Sequence, residues 1–169
     1  LLFINLLTDS LPAIAIGLEP PHSSLMKEKP RDAKKPILDK AFGLQVLFEG
    51  TIIAVVTMTA YYLGYQNGGQ GAGMTMAFAT LSLSRLVHGF NCRNDAPLSI
   101  KTLWSNPYIY LAFIFGTLLL SAVIFLEPLH KIFEISNLTD QQYISIVLLS
   151  TVPLIVVQIV KRIRVMLRK

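Results

Sequence analysis

Apolar residues fall in five long blocks, at about residues 1–18, 42–65, 72–90, 107–126 and 142–160, divided by polar and charged stretches. A helix rises 1.5 Å per residue, so each block is long enough to cross roughly 30 Å of hydrocarbon. The pattern predicts an all-α fold, a polytopic transmembrane bundle of about five membrane-spanning helices. The third block is the least apolar, because Ser82, Ser84, Arg85 and His88 interrupt it. Its Ala77, Ala79, Thr80, Ser82 and Ser84 suit close helix packing in lipid.

The first block carries the sharpest departure from apolar character. Asn5, Thr8, Asp9 and Ser10 stand in an otherwise apolar run, followed at once by Leu11 and Pro12. An ionisable group at membrane depth costs several kcal/mol unless partnered, which makes Asp9 a functional-site candidate. Pro12 has no N–H to give to the carbonyl of Thr8, so a break in this first helix is expected there. A freed carbonyl beside side-chain oxygens is one way to build a cation site at the midplane. Asn5 and Asp9 are four apart and share a helix face, with Thr8 beside them. Hard oxygen donors select calcium, magnesium or alkali cations over soft metals. Calcium takes 6–8 oxygens, more than this segment holds, so further ligands must come from elsewhere. The competing reading is a helix-packing carboxamide with a protonated or salt-bridged Asp9.

Composition agrees with a membrane location. The chain is 53% hydrophobic and 15% charged, with a mean hydropathy of +0.55, far from an ordinary soluble domain. The net charge of +5 does not point to nucleic acid, because basic residues sit beside apolar blocks, where topology and anionic headgroups account for them. The single Cys92 excludes an internal disulfide, and His22, His88 and His130 lack metal-ligand spacing.

Residues 19–41 form a proline-rich loop with six basic residues, Lys27, Lys29, Arg31, Lys34, Lys35 and Lys40. The tail adds Lys161, Arg162, Arg164, Arg168 and Lys169, and the third connection adds Arg93 and Lys101. By the positive-inside rule these segments face the cytoplasm, and five spans then end with the C-terminus inside. Pro20, Pro21, Pro30 and Pro36 stiffen the first loop, which either packs on helix ends or touches a cytoplasmic partner domain. The chain opens on Leu1 inside an apolar run, so a segment of a longer protein is expected.

Other residues are open to two readings. Arg85 lies deep in the third block and needs a partner. Either it stands beside the cation site as a fixed positive charge, pairing with Asp9 when metal is absent, or it snorkels to the headgroups. Glu49 is about two turns inside the second block and is read as a structural, hydrogen-bonded group rather than a ligand. His88 is read as interfacial packing. Tyr61, Tyr62, Tyr65, Trp104, Tyr108 and Tyr110 flank the blocks as interface anchors. No phosphate-binding glycine loop, nucleophile elbow or catalytic carboxylate pair is present.

The run Asn5-Leu-Leu-Thr8-Asp9-Ser10-Leu11-Pro12-Ala13, with Glu19-Pro20-Pro21, Leu25-Met26 and Pro30-Arg31-Asp32, resembles the sixth transmembrane helix and following loop of type II P-type ATPases. The nearest pattern is that of calcium pumps of the sarcoplasmic-reticulum kind and their bacterial relatives. Thr75-Met76-Ala77 and Pro128-Leu129 extend the likeness over the sixth to tenth helices. The resemblance implies an ATP-driven cation transporter cycling through an aspartyl phosphate, in which Asn5, Thr8 and Asp9 are metal ligands and Pro12, Arg85 and Glu49 modulate the site. Calcium would be the transported ion, with ATP and magnesium bound in cytoplasmic domains that this chain does not contain. Its partners would be the remaining helices and cytoplasmic domains of the pump and the lipid bilayer, and the fragment alone should be inactive and could self-associate. Arg85 stands where two-calcium pumps carry a glutamate ligand, which favours one calcium per cycle. A bacterial plasma membrane is the expected location. The alternatives are a pump for magnesium, manganese or sodium/potassium, and a non-enzymatic helical bundle in which Asp9 and Arg85 form a structural pair.

Overall fold

The structure, a computed structural model, describes residues 2–20, 39–94, 96–99 and 104–167, with side chains from residue 8 onward. Among the described residues there are helices and no strands, consistent with an all-α membrane bundle. The helices are α1 (Leu2–Gly17), α2 (Lys40–Cys92), α3 (Pro107–Phe125), α4 (Glu127–Phe133) and α5 (Asp140–Leu167). Three of them, α2, α3 and α5, are long and apolar enough to cross a membrane. The proline-rich part of the first loop, including His22 and the basic residues from Lys27 to Lys35, lies outside the described residues, as do Lys101, Arg168 and Lys169.

The 53 residues of α2 are two helices joined by a kink. Gly69 adopts φ 73° and ψ −167°, a backbone that side chains disfavour. The chain doubles back there, so residues 40–68 and 70–92 form a first and a second arm. Glycine lets the arms touch near the turn. A Cβ on Gly64 would sit 2.7 Å from the carbonyl oxygen of Ala72, and one on Gly73 would sit 2.9 Å from that of Tyr61. Small residues at such crossings are how helices approach closely without a hydrophobic drive between them. The second and third apolar blocks of the sequence are these two arms.

The break expected in the first helix is not there. Helix α1 runs unbroken from Leu2 to Gly17 with Pro12 inside it. A proline ring in mid-helix removes one backbone hydrogen bond and crowds the preceding turn, yet it also offers a flat apolar surface. Pro12 is buried, and a Cβ on Gly89 of the second arm would come within 3.3 Å of its Cβ. Packing against that glycine occupies the proline's outer face while the helix continues past it.

Local signals set the other helix ends. Asp39 Oδ1 accepts from Phe42 N at 2.7 Å and caps α2, and Asn106 does the same for α3 through Tyr108 N at 2.9 Å, with Pro107 in the first turn. Gln142 Oε1 accepts from Thr139 N at 2.8 Å at the start of α5, one half of a capping box. Helix α4 ends where Glu134 turns left-handed, at φ 55°.

The core has two parts. Ala60, Met76, Ala79, Leu120, Ile124 and Ile146 bring both arms of α2 together with α3 and α5. Ala15, Ile109 and Ala112 join α1 to α3. Large apolar residues remain exposed around the outside, such as Leu44, Met58, Leu118 and Leu148, as lipid requires. Tyr62, Tyr65, Trp104 and Tyr108 are among these exposed side chains, and Trp104 stacks on Tyr110.

Candidate functional site

Helix α1 lies along the second arm of α2, and both run in the same direction. Three contacts follow one another in order: Asp9 with Arg85, Pro12 with Gly89, and Glu19 with Arg93. On the second arm those partners are four residues apart each time, one face of the helix.

Arg85 Nη1 donates to Asp9 Oδ2 at 2.9 Å. The two side chains are 36% and 50% exposed, so the pair opens on the face that α2–α5 leave uncovered. Thr8, next to Asp9, is buried at 1% exposure and points into the bundle. Asn5 lies one turn earlier on α1, and its side chain is outside the described residues. Among the described residues no group of three or more histidine, cysteine or acidic side chains could hold a metal ion. Asp9 therefore offers one carboxylate here, and a hard cation at this point would need further oxygens.

Glu49, on the first arm of α2, is paired with His88 rather than with Arg85. Its Oε2 accepts from His88 Nε2 at 3.0 Å, and its Oε1 accepts from Gln45 Nε2 at 3.0 Å. Both ends of the Glu49–His88 pair are largely buried, at 14% and 13% exposure. A web continues from it toward α5. Asn91 Nδ2 lies 3.2 Å from His88 Nδ1 and donates to Pro153 O at 3.4 Å, and Gln158 Nε2 donates to Asn91 Oδ1 at 2.7 Å. Lys161 Nζ then donates to the carbonyl oxygens of Asn91, at 2.7 Å, and Asn94. A buried cation at the last carbonyls of a helix neutralises the negative end of its dipole. The Lys161 side chain is buried, at 5% exposure, and turns inward, unlike the exposed Arg162 and Arg164 of the same basic tail.

The third cluster was not anticipated. Glu19 follows α1 and accepts from Arg93 Nε at 3.0 Å and Arg93 Nη2 at 2.7 Å. Asn106 Nδ2 donates to Glu19 Oε2 at 2.7 Å and to Ala15 O at 2.8 Å, while Ser105 Oγ lies 3.3 Å from Glu19 Oε1. The Arg93 side chain has no exposed surface. Burial alone would raise the Glu19 carboxyl, but the hydrogen bonds of Arg93, Asn106 and Ser105 and the charge of Arg93 outweigh it and hold its pKa below the usual value of 4.5. The signal for this cluster was present in the sequence: an acidic residue ends the first apolar block and a basic one follows the third.

A bundle of apolar helices, joined by ion pairs and helix-end contacts, is an integral membrane protein of the polytopic helical class. Comparison places it more narrowly. The family described as "Cation transporting ATPase, C-terminus" matches residues 1–163, and the chain belongs to that family. It is 33% identical over 155 residues to the Calcium-transporting ATPase of Bacillus subtilis (strain 168), an alignment covering 90% of this chain and 17% of that protein. It is 32% identical over 179 residues to Calcium-transporting ATPase 1 of Bacillus cereus, covering 95% of this chain and 20% of the relative. The likeness reaches mammals, at 29% identity over 142 residues to the rat Calcium-transporting ATPase type 2C member 2, 82% of this chain and 15% of that protein. The chain thus spans a fifth or less of the length of these curated relatives.

Proposed function

We propose that this chain is the C-terminal membrane region of an ATP-driven calcium pump and supplies oxygen ligands to its transport site. The observation that carries the reading is the ion pair between Asp9 and Arg85, inside a family of cation-transporting ATPases. A carboxylate on a span of such a protein has one strong reason to be there, which is to meet a cation. Asp9, Thr8 and Asn5 are the ligands this chain offers to calcium, the transported substrate; the missing oxygens come from helices outside the chain, on the open face of the pair. Relatives named as calcium transporters support calcium over magnesium, manganese or sodium/potassium.

Arg85 acts as a built-in counter-charge. When calcium enters, the guanidinium gives up Asp9; when calcium leaves, it returns and neutralises the carboxylate. A fixed positive charge beside the site repels a second divalent ion, so one calcium moves per cycle. ATP and magnesium act in cytoplasmic domains outside this chain, which by itself does not pump. The location is a bacterial plasma membrane, with the C-terminus in the cytoplasm.

The test uses the full-length protein that contains this chain. Asp9→Asn should abolish calcium-dependent phosphorylation from ATP, read as labelled phosphoenzyme at micromolar calcium. Phosphorylation that keeps its calcium dependence in that variant rejects Asp9 as a ligand. Competition with magnesium and manganese in vesicle uptake identifies the ion.

A further inference from the structure

We propose that Glu19 and Arg93 form a permanent clasp that keeps α1 docked on the second arm of α2 while the Asp9–Arg85 pair opens and closes. The inference rests on the reading that a cation takes Arg85's place at Asp9. Both residues are positioning residues: neither touches the site.

The geometry separates two kinds of ion pair on one helix joint. Asp9 and Glu19 are ten residues apart, about 15 Å along α1, and Arg85 and Arg93 are eight apart, about 12 Å along the arm. The inner pair has a single hydrogen bond, 2.9 Å long, between side chains that are a third to a half exposed. The outer pair is forked, with two nitrogens of Arg93 on the two oxygens of Glu19, and the Arg93 side chain is fully enclosed. A forked guanidinium–carboxylate contact is both stronger and more directional than a single one.

The outer pair is also tied to more of the molecule. Asn106 joins two helices: its amide nitrogen holds Glu19 and the carbonyl of Ala15 at the end of α1, and its oxygen caps α3. Arg93 Nη2 reaches Ser105 Oγ at 2.8 Å as well. One carboxylate therefore gathers the end of α1, the end of the second arm and the start of α3. Between the two pairs, Pro12 rests on Gly89, a contact without polar groups that can rock without breaking hydrogen bonds. A cation competing for Asp9 then has a singly hydrogen-bonded pair to displace, and a forked, enclosed pair holds the helices while it does so. Without the clasp, release of Arg85 would free α1 from the arm, and the ligands on α1 would lose their fixed position.

The experiment uses the full-length protein in nanodiscs, with nitroxides at Gly17→Cys and the native Cys92, both exposed, and other cysteines replaced. Calcium-dependent phosphorylation is measured in the same preparations. With the clasp intact, the interspin distribution stays narrow with calcium and with chelator. Glu19→Gln and Arg93→Lys should each broaden it, most in calcium, and raise the calcium concentration for half-maximal phosphorylation about tenfold while maximal phosphoenzyme stays within twofold. The reversal Glu19→Arg with Arg93→Glu should recover part of both. A narrow distribution and unchanged calcium dependence in both single variants overturn the clasp, as does a wild-type distribution that widens on adding calcium. If the wild-type protein shows no calcium-dependent phosphorylation, the pump reading fails, and the chelator-state distances still decide whether Glu19 and Arg93 hold the helices.

Discussion

Arg93 has no exposed side-chain surface, and its charge is met by a carboxylate that is itself largely enclosed. A buried ion pair is modest evidence of net stability, because desolvation offsets the attraction, but removing one partner leaves the other charge stranded. Arg93→Ala should therefore destabilise the bundle by about 3–5 kcal/mol, read as a lower midpoint of thermal unfolding in detergent. The pH response of the clasp has a definite sign. Glu19 is held below its usual value of 4.5, so its contribution is fully present above that value and is lost as pH falls through the lower, folded-state pKa. Thermal stability of the wild-type protein should fall on acidification below pH 4.5, and Glu19→Gln should flatten that part of the profile. At this scale the sequence was partly legible. Asp9 and Arg85 declared themselves as charges inside apolar runs. Glu19, Arg93 and Lys161 did not, because charges at the ends of apolar blocks are common, and only the packed helices show which of them turn inward.

Helices are where reading the chain worked best and where one expectation failed. A run of about twenty apolar residues has few physical options other than a span; helices cover each block, while α4 lies outside the blocks and α5 runs on to Leu167. The glycine-rich stretch between the second and third blocks contains the turn, at Gly69. Pro12 was harder, since the cost of a proline in a helix depends on what meets its ring, and Gly89 is 77 residues away in the chain. The close crossings allow a comparison between glycines. A Cβ on Gly64 would meet backbone of Ala72 at 2.7 Å, whereas one on Gly116 would meet the tip of the Leu86 side chain, Cδ2, at 2.6 Å. Backbone cannot step aside and a leucine can change rotamer. Gly64→Ala should cost about 1–3 kcal/mol, as overpacking does, and Gly116→Ala clearly less; unfolding midpoints of the two variants in one detergent make the comparison.

For the molecule as a whole, the open face is the informative part. Among the described residues, the Asp9–Arg85 pair is half exposed while the two other ion pairs are enclosed. On the proposed reading, with Arg85 as counter-charge, the full-length protein should move one calcium ion per ATP in reconstituted vesicles, and a measured ratio of two removes the exclusion role of Arg85. Arg85→Glu should weaken the block on a second ion, seen as a rise in calcium bound per phosphorylation site. Residue order offered the pairing of Asp9 with Arg85 as one of two readings, but not the register that brings the two together. Register between α1 and the second arm is set by Pro12 on Gly89 and by the two flanking charge pairs, contacts that join residues more than seventy positions apart.

The turn at Gly69 also bears on how the protein is made. With no spacer between the arms, they leave the ribosome as a near-continuous stretch and must enter the bilayer folded against each other. The second arm, with Arg85 and His88, is the one that would insert poorly on its own, and the first arm delivers Glu49 to His88 as they pair. A single glycine thus makes two unequal segments one unit of biogenesis, the stronger escorting the weaker.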